Sequence, residues 1–384
     1  MRIPLLILLI CTPLAPAADW PGFLGPTRDG HSTETKLNWN WGKEGPPVAW
    51  TIDIGKGFAG PVVVGNAVYV FHRIDDEEIL SAHSTETGKE IWKYKAPARG
   101  TDGPEATPLV VEGTVYTVGL GAMLTAVKAK NGEKIWSVDL RKLYAPPEGY
   151  FGFGAGLLHH NGKILVNVGA KGAGIVAFDA ATGKELWKAT DDPPSYSTPV
   201  LMDIGGVAHA VVFTRTGLAV VNADTGKVLV QKRHRARIDA SVNAASPVIA
   251  NDSIFLSSSY ETGGIAWKIN GGELEELWSD DKSLSCHFET PVRVGEYLYG
   301  IHGRVDGGAA SLVCCEFKTG AVKWSEKRFG GAHLIHVDSG LLALTETGEL
   351  VRFEASEKAY SEKARATVMK GLTRAAPALA DGQL

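Results

Sequence analysis

Four side chains have the type and the placement to do chemistry: Glu105, His287, Glu289 and Arg374. Each lies a few residues ahead of a proline (Pro108, Pro291 or Pro377) that opens an apolar run. A carboxylate held in a narrow channel either finds a partner or shifts its pKa. Arg374 is the expected partner of Glu289. One use of such a group is a site for an anion or a sugar-like ligand, or an acid/base pair. The other is a polar filling of paired charges around channel water. The residues favour the filling. Arg304 and His333 are further candidates for the same mouth.

Other reactive types give less. His159-His160 leads into Asn161-Gly162 and reads as a strand end with its turn; His333 and His336 are the other histidine pair, and no metal site is expected. Cys286, Cys314 and Cys315 fit neither haem-attachment nor zinc spacing. Cys314 and Cys315 are neighbours in a strand-like run, so their side chains point to opposite faces. Unpaired thiols are expected, with a strained disulfide as the alternative. No nucleophile-elbow, phosphate-loop or zinc-protease pattern is present, so no catalytic residue is assigned.

The elements that must hold these residues recur. A small residue and a proline open apolar runs at Gly60-Pro61, Thr107-Pro108, Thr198-Pro199, Ser246-Pro247, Thr290-Pro291 and Ala376-Pro377. Ala155-Gly156-Leu157 and Gly331-Ala332-His333 fill the two gaps. A second phrase keeps step: Thr87-Gly88-Lys89 leads to Trp92, Asn131-Gly132 to Trp136, Thr182-Gly183-Lys184 to Trp187, Asn270-Gly271 to Trp278 and Thr319-Gly320 to Trp324. Thr225-Gly226-Lys227 keeps the turn, with Val230 in place of the indole. A repeat of roughly 40–50 residues with four strand-like runs per unit points to propeller blades. The expected fold is all-β: an eight-bladed β-propeller of four-stranded antiparallel blades. Residues 48–53 and 374–382 share the last blade, which is incomplete because the chain stops at Leu384.

Bulk properties narrow the function. The 384 residues carry a net charge of -4, and the only dense basic stretch, Arg233, His234, Arg235 and Arg237, reads as a solvated loop. No nucleic-acid surface is expected. Residues 1–18 read as a secretory signal peptide, 19–47 as a leader segment and 48–384 as the propeller. The signal segment is too short to span a bilayer, and no other stretch could.

The phrase Ala177-Phe178-Asp179-Ala180-Ala181-Thr182-Gly183-Lys184-Glu185-Leu186-Trp187 closely resembles the repeat of the pyrroloquinoline-quinone (PQQ)-like propellers. The opening Trp20-Pro21-Gly22-Phe23-Leu24-Gly25-Pro26 is similar to the leader of exported bacterial members, including the BamB-like group. The resemblance implies that Trp92, Trp136, Trp187, Trp278 and Trp324 dock across gaps to neighbouring blades, with a looser joint at Val230. It implies an exported, periplasmic or secreted monomer that binds a protein or an envelope polymer through its loops, with no cofactor. The alternative it carries is a quinoprotein-like oxidoreductase with PQQ and calcium in the funnel; Cys314-Cys315 is similar to the vicinal disulfide over that cofactor, but in another context. A third use is carbohydrate binding on Tyr150, Phe151 and Phe153.

Overall fold

A computed structural model describes residues 19–384, apart from 36, 148–150, 237 and 239–240. The proposed signal peptide, Glu148, Tyr150 and Arg237 therefore lie outside the described residues. Seven four-stranded antiparallel sheets follow one another along the chain, at 62–97, 109–139, 158–189, 200–233, 248–280, 292–326 and 332–367. In each, strands pair in chain order, so every blade is a simple meander. Turn chemistry sets the registers. Glu112-Gly113 and Asn161-Gly162 both place two successive residues at positive φ, the demand of the tight hairpin turn that matches strand twist. Among the described residues the one α-helix is Leu140–Tyr144, started by the Asp139 carboxylate, which accepts from the Lys142 N–H.

The fourth strand of each blade carries a bulge. Its register against the third strand slips at Ala82/His83, Ala126/Val127, Ala177/Phe178, Val220/Val221, Ala266/Trp267, Cys314/Cys315 and Arg352/Phe353. A bulge adds an unpaired residue and re-aims the next side chain. Ile91, Ile135 and Leu186 take the extra position and are exposed. The following indole is opposite a small residue: Trp92 pairs with Ala82, Trp136 with Ala126 and Trp187 with Ala177.

Each indole then meets the next blade's turn. A methyl added at Gly183 would lie 2.7 Å from the Trp136 ring, and one at Gly320 would lie 2.7 Å from Trp278. Gly132 stands in the same way against Trp92, and Gly226 against Trp187. The indole N–H donates to a carbonyl of the next unit: Trp92 to Ala129 at 2.8 Å, Trp136 to Ala180 at 3.0 Å, Trp278 to Phe317 and Trp324 to Ser356 at 2.7 Å each. We propose that these contacts dock neighbouring blades. The joint after Val230 is packed rather than loose. Trp267 of the fifth sheet, 1% exposed, fills it from the other side with Val220 and Ile265.

The Ser/Thr-Pro mark has its own geometry. The Gly60 N–H donates to the Thr107 hydroxyl, Thr198 N–H to Ser246 Oγ, and Ser246 N–H to Thr290 Oγ1, at 2.9–3.2 Å. These bonds link the leading ends of inner strands in adjacent blades. Proline follows without cost because these strands begin there.

Neither 48–53 nor 374–379, within the segments expected to share a last blade, forms a strand. Even so, the Trp50 indole donates to the Thr85 carbonyl at 2.7 Å and lies 2.8 Å from a methyl built on Gly88. The Ala376 carbonyl lies 2.5 Å from a methyl built on Gly60. Trp20, Ala378, Leu379 and Ala380 share a core with Ile335 and Val337 of the seventh sheet, against Val63 of the first.

The indole hydrogen bonds separate two otherwise similar joints. Trp187 Nε1 is buried without a partner, whereas Trp136 Nε1 has Ala180. Trp136→Phe should therefore cost about 1 kcal/mol more than Trp187→Phe in urea unfolding. Trp136→Ala should cost about 3–5 kcal/mol. Equal losses for the two Phe variants would contradict the assignment.

Candidate functional site

The connections before the inner strands, and those between second and third strands, meet at one end of the propeller. Thr107, Thr198, Ser246 and Thr290 set the inner-strand positions there. His287, Glu289 and Arg374 come together with Phe288, His333 and Glu346. Glu105 stands apart, against Tyr196 and Gly154.

The expected ion pair is absent from this cluster, and a different one takes its place. Arg374 Nε donates to Glu346 Oε1 at 2.8 Å, not to Glu289. The guanidinium lies 5.5 Å from the centre of the Phe288 ring. Glu346 sits on a second-to-third-strand connection, which brings it to the same mouth without a proline to mark it. Glu289 is 2% exposed; its Oε2 accepts from the Phe288 N–H at 3.3 Å, and its Oε1 has no partner. Burial pushes its pKa up to about 8, with the Glu346 charge adding to the rise. The Arg374 charge acts against the rise, and burial outweighs it, so the neutral carboxyl is favoured more than in an exposed glutamate. Gly331 leaves room for both carboxyls, since a methyl there would lie 2.8 Å from each.

His287 shares a 2.8 Å hydrogen bond between its Nε2 and the Tyr260 hydroxyl, while its Nδ1 has no partner. Burial holds its pKa down; the Asp306 charge opposes this, and Arg304 and Arg374 reinforce it. Tyr260 and Glu261 both have φ near +60°, a strained pair of non-glycine residues beside a cleft of about 300 Å³. Arg304 crosses the Tyr260 ring at 4.8 Å and is held by Asp306 through two hydrogen bonds. His333 Nε2 donates to the Arg374 carbonyl at 2.9 Å, and His336 packs its ring on His31 at 4.8 Å. The His333/His336 pair is thereby divided between separate partners.

On the other side of the mouth, burial also lifts the Glu105 pKa to about 8, helped by Asp102. The Tyr196 hydroxyl accepts from the Phe151 N–H at 2.9 Å. Phe151 is exposed, but Phe153 is 4% exposed inside the core of the second and third blades. That placement takes Phe153 out of any carbohydrate platform.

PQQ with calcium can be tested against these groups. Its three carboxylates call for free cations, yet Arg304 and Arg374 are already neutralised by Asp306 and Glu346. Calcium calls for about six to eight oxygens. Among the described residues no cluster of three His, Cys, Asp or Glu could hold a metal ion. Cys314 and Cys315 are free and face different cores, one against the seventh blade and one against the fifth. The residues at this mouth do not fit the cofactor. Sequence reasoning missed Glu346, Tyr260 and Asp306, none of which lies in register with a proline; Tyr196, three residues before Pro199, shares the position of Glu105.

The raised Glu289 pKa fixes a sign. Between the ordinary value of 4.5 and about 8, the folded chain binds a proton that the unfolded chain releases. Stability from this group is full below the lower value and is lost as pH rises to the higher one. Glu289→Gln should melt increasingly above wild type from pH 5 to pH 8, and by a constant margin beyond. A difference that does not change with pH would contradict the assignment.

With this geometry in place, comparisons with known proteins fix the family. The family model described as "Outer membrane protein assembly factor BamB" matches residues 46–147 and 75–326. A quinohemoprotein alcohol dehydrogenase of Comamonas testosteroni is 34% identical over 276 residues, covering 66% of this chain and 36% of that protein. BamB of Burkholderia pseudomallei is 26% identical over 190 residues, covering 46% and 43%. The crystal structure of BamB from Moraxella catarrhalis superposes with a TM-score of 0.60 at 13% identity, over 82% of this chain and 87% of that one, a likeness of fold. The chain spans about half or less of the length of the curated relatives it matches. It belongs to the PQQ-like β-propeller repeat family represented by the BamB model.

Proposed function

We propose that the chain is an exported, non-catalytic β-propeller that binds a partner protein or envelope polymer on its loop-rich end. One observation carries this reading. The connections at the funnel end expose Phe58, Ile74, Phe151, Ile238, Met369 and Leu372, contributed by five different stretches of chain. Apolar side chains exposed on several loops of one end can form an interaction surface; the exposed Ile91, Ile135, Leu186, Val228 and Val322 stand instead on the outer strands, beside the turns of the other end. The turns at the other end are short and rich in Gly, Asn, Thr and Lys. The paired charges in the funnel support the polar filling over a catalytic pair. The scaffold acts as a monomer in the periplasm or outside the cell. Its terminal segments complete the ring as an eighth unit, with Trp50 as the outer docking residue and 374–380 along the axis.

The second reading is a quinoprotein-like oxidoreductase, favoured by the 34% identity to the Comamonas enzyme. Two measurements separate them. The mature chain, used as bait on envelope extract, should retain a partner that the Phe58→Ser, Phe151→Ser, Leu372→Ser triple variant releases, with both proteins melting alike. Tight binding of PQQ with calcium, together with dye reduction by an alcohol, would overturn the proposal.

A further inference from the structure

The segment 19–32 touches inner strands on opposite sides of the ring. Trp20 and Val63 of the first blade exchange both backbone hydrogen bonds, at 2.7 and 2.9 Å. The Pro21 carbonyl accepts from Val110 N–H of the second blade at 2.8 Å. Arg28 Nη1 donates to the Leu157 carbonyl, at the start of the third blade's inner strand, at 2.8 Å. A methyl on Gly30 would lie 2.7 Å from Val292 of the sixth blade and 3.4 Å from the Leu334 carbonyl of the seventh. His336 N–H donates to the Gly30 carbonyl at 2.8 Å, and Ser32 N–H to the His336 carbonyl at 2.9 Å.

Joints run in chain order, so the third blade stands across the axis from the sixth and seventh. A short segment can reach all of these inner strands only through the space they enclose. The packing agrees: Trp20 and Leu24 are 2% and 6% exposed. The segment also has the internal structure of a compact loop. The Trp20 ring lies 2.8 Å from a methyl built on Gly25, whose φ is +82°. Gly30 N–H returns to the Leu24 carbonyl at 3.0 Å. Leu24 and Arg28 hold φ near +60°, strain that persists only where surroundings fix it. The spacing Trp20, Gly25, Gly30 is thus explained by a fold of its own.

We propose that residues 19–32 are an internal plug: the chain's own leader crosses the central channel, so the funnel opens at its loop-rich end alone. A ligand cannot pass through the propeller. The same segment ties the seventh blade to the first three, across the gap where no complete sheet stands. This inference does not depend on the scaffold reading, because it concerns the occupant of the axis rather than the partner at the rim.

Hydrogen exchange on the full mature chain tests it. Peptides covering 19–32 should exchange as slowly as those of the inner strands at 62–64 and 332–337. Gly30→Val places a side chain into Val292 at φ +78°. It should speed exchange across 19–32 by about ten-fold or more, and leave the fourth blade's 200–233 protected. Arg28→Ala, a milder change, should speed the same peptides less. If Gly30→Val does not fold, the wild-type protection and Arg28→Ala still decide. Exchange of 19–32 within seconds in the wild type, or no effect of either variant, would overturn the plug.

Discussion

The proposed docking contact, an indole packed against the space left by a glycine in the next blade, is the one on which this account of the molecule depends. Glycine is required there twice over. Gly132, Gly183, Gly226 and Gly320 hold φ between +69° and +74°, which favours glycine. Each also leaves the space that the neighbouring ring occupies. The bulge before each Trp supplies the third part, because it turns the indole out of its own sheet and toward the joint. Hydrogen-bond ladders run within the blades and stop at their edges, so blades meet only through side-chain packing and a few hydrogen bonds between connections and indoles.

Much of this was legible in the sequence because turn chemistry and blade docking use the same residues. The Thr-Gly-Lys phrases mark the third-to-fourth-strand turns, and Trp92, Trp136, Trp187 and Trp278 each lie against a glycine of the following unit's turn. Val230 misled, because the joint is filled from the opposite side by Trp267, which lies in a third strand and outside the repeat phrase. The proline mark was visible, but its reason was not. A hydroxyl at Thr107, Ser246 or Thr290 accepts a backbone N–H of the preceding blade, a bond between distant residues that no local pattern announces.

The funnel was half legible for the same reason. Counting back from each proline put Glu105, His287, Glu289 and Arg374 at one funnel mouth, whereas Glu105 stands apart from the other three, against Tyr196 and Gly154. That count could not bring Glu346, which arrives on a connection of another kind and takes Arg374 from Glu289. The result is a mouth in which burial raises the pKa of both Glu289 and Glu105 and Arg374 is paired with Glu346. That chemistry suits holding structure or meeting a neutral partner better than gripping a polyanion. Membership of a family that includes both assembly factors and quinoprotein dehydrogenase relatives leaves function to be argued from such local chemistry.

The docking contact itself can be measured by a double-mutant cycle between Trp136 and Gly183. Gly183→Ala carries a strain cost from its φ of +71° in either background, and that cost cancels in the cycle. What remains is the clash with the ring. Gly183→Ala should be less destabilising in Trp136→Ala than in wild type, with a coupling of about 1 kcal/mol or more. Losses that add to within about 0.5 kcal/mol would contradict the claim that the indole and the glycine hold the blades together.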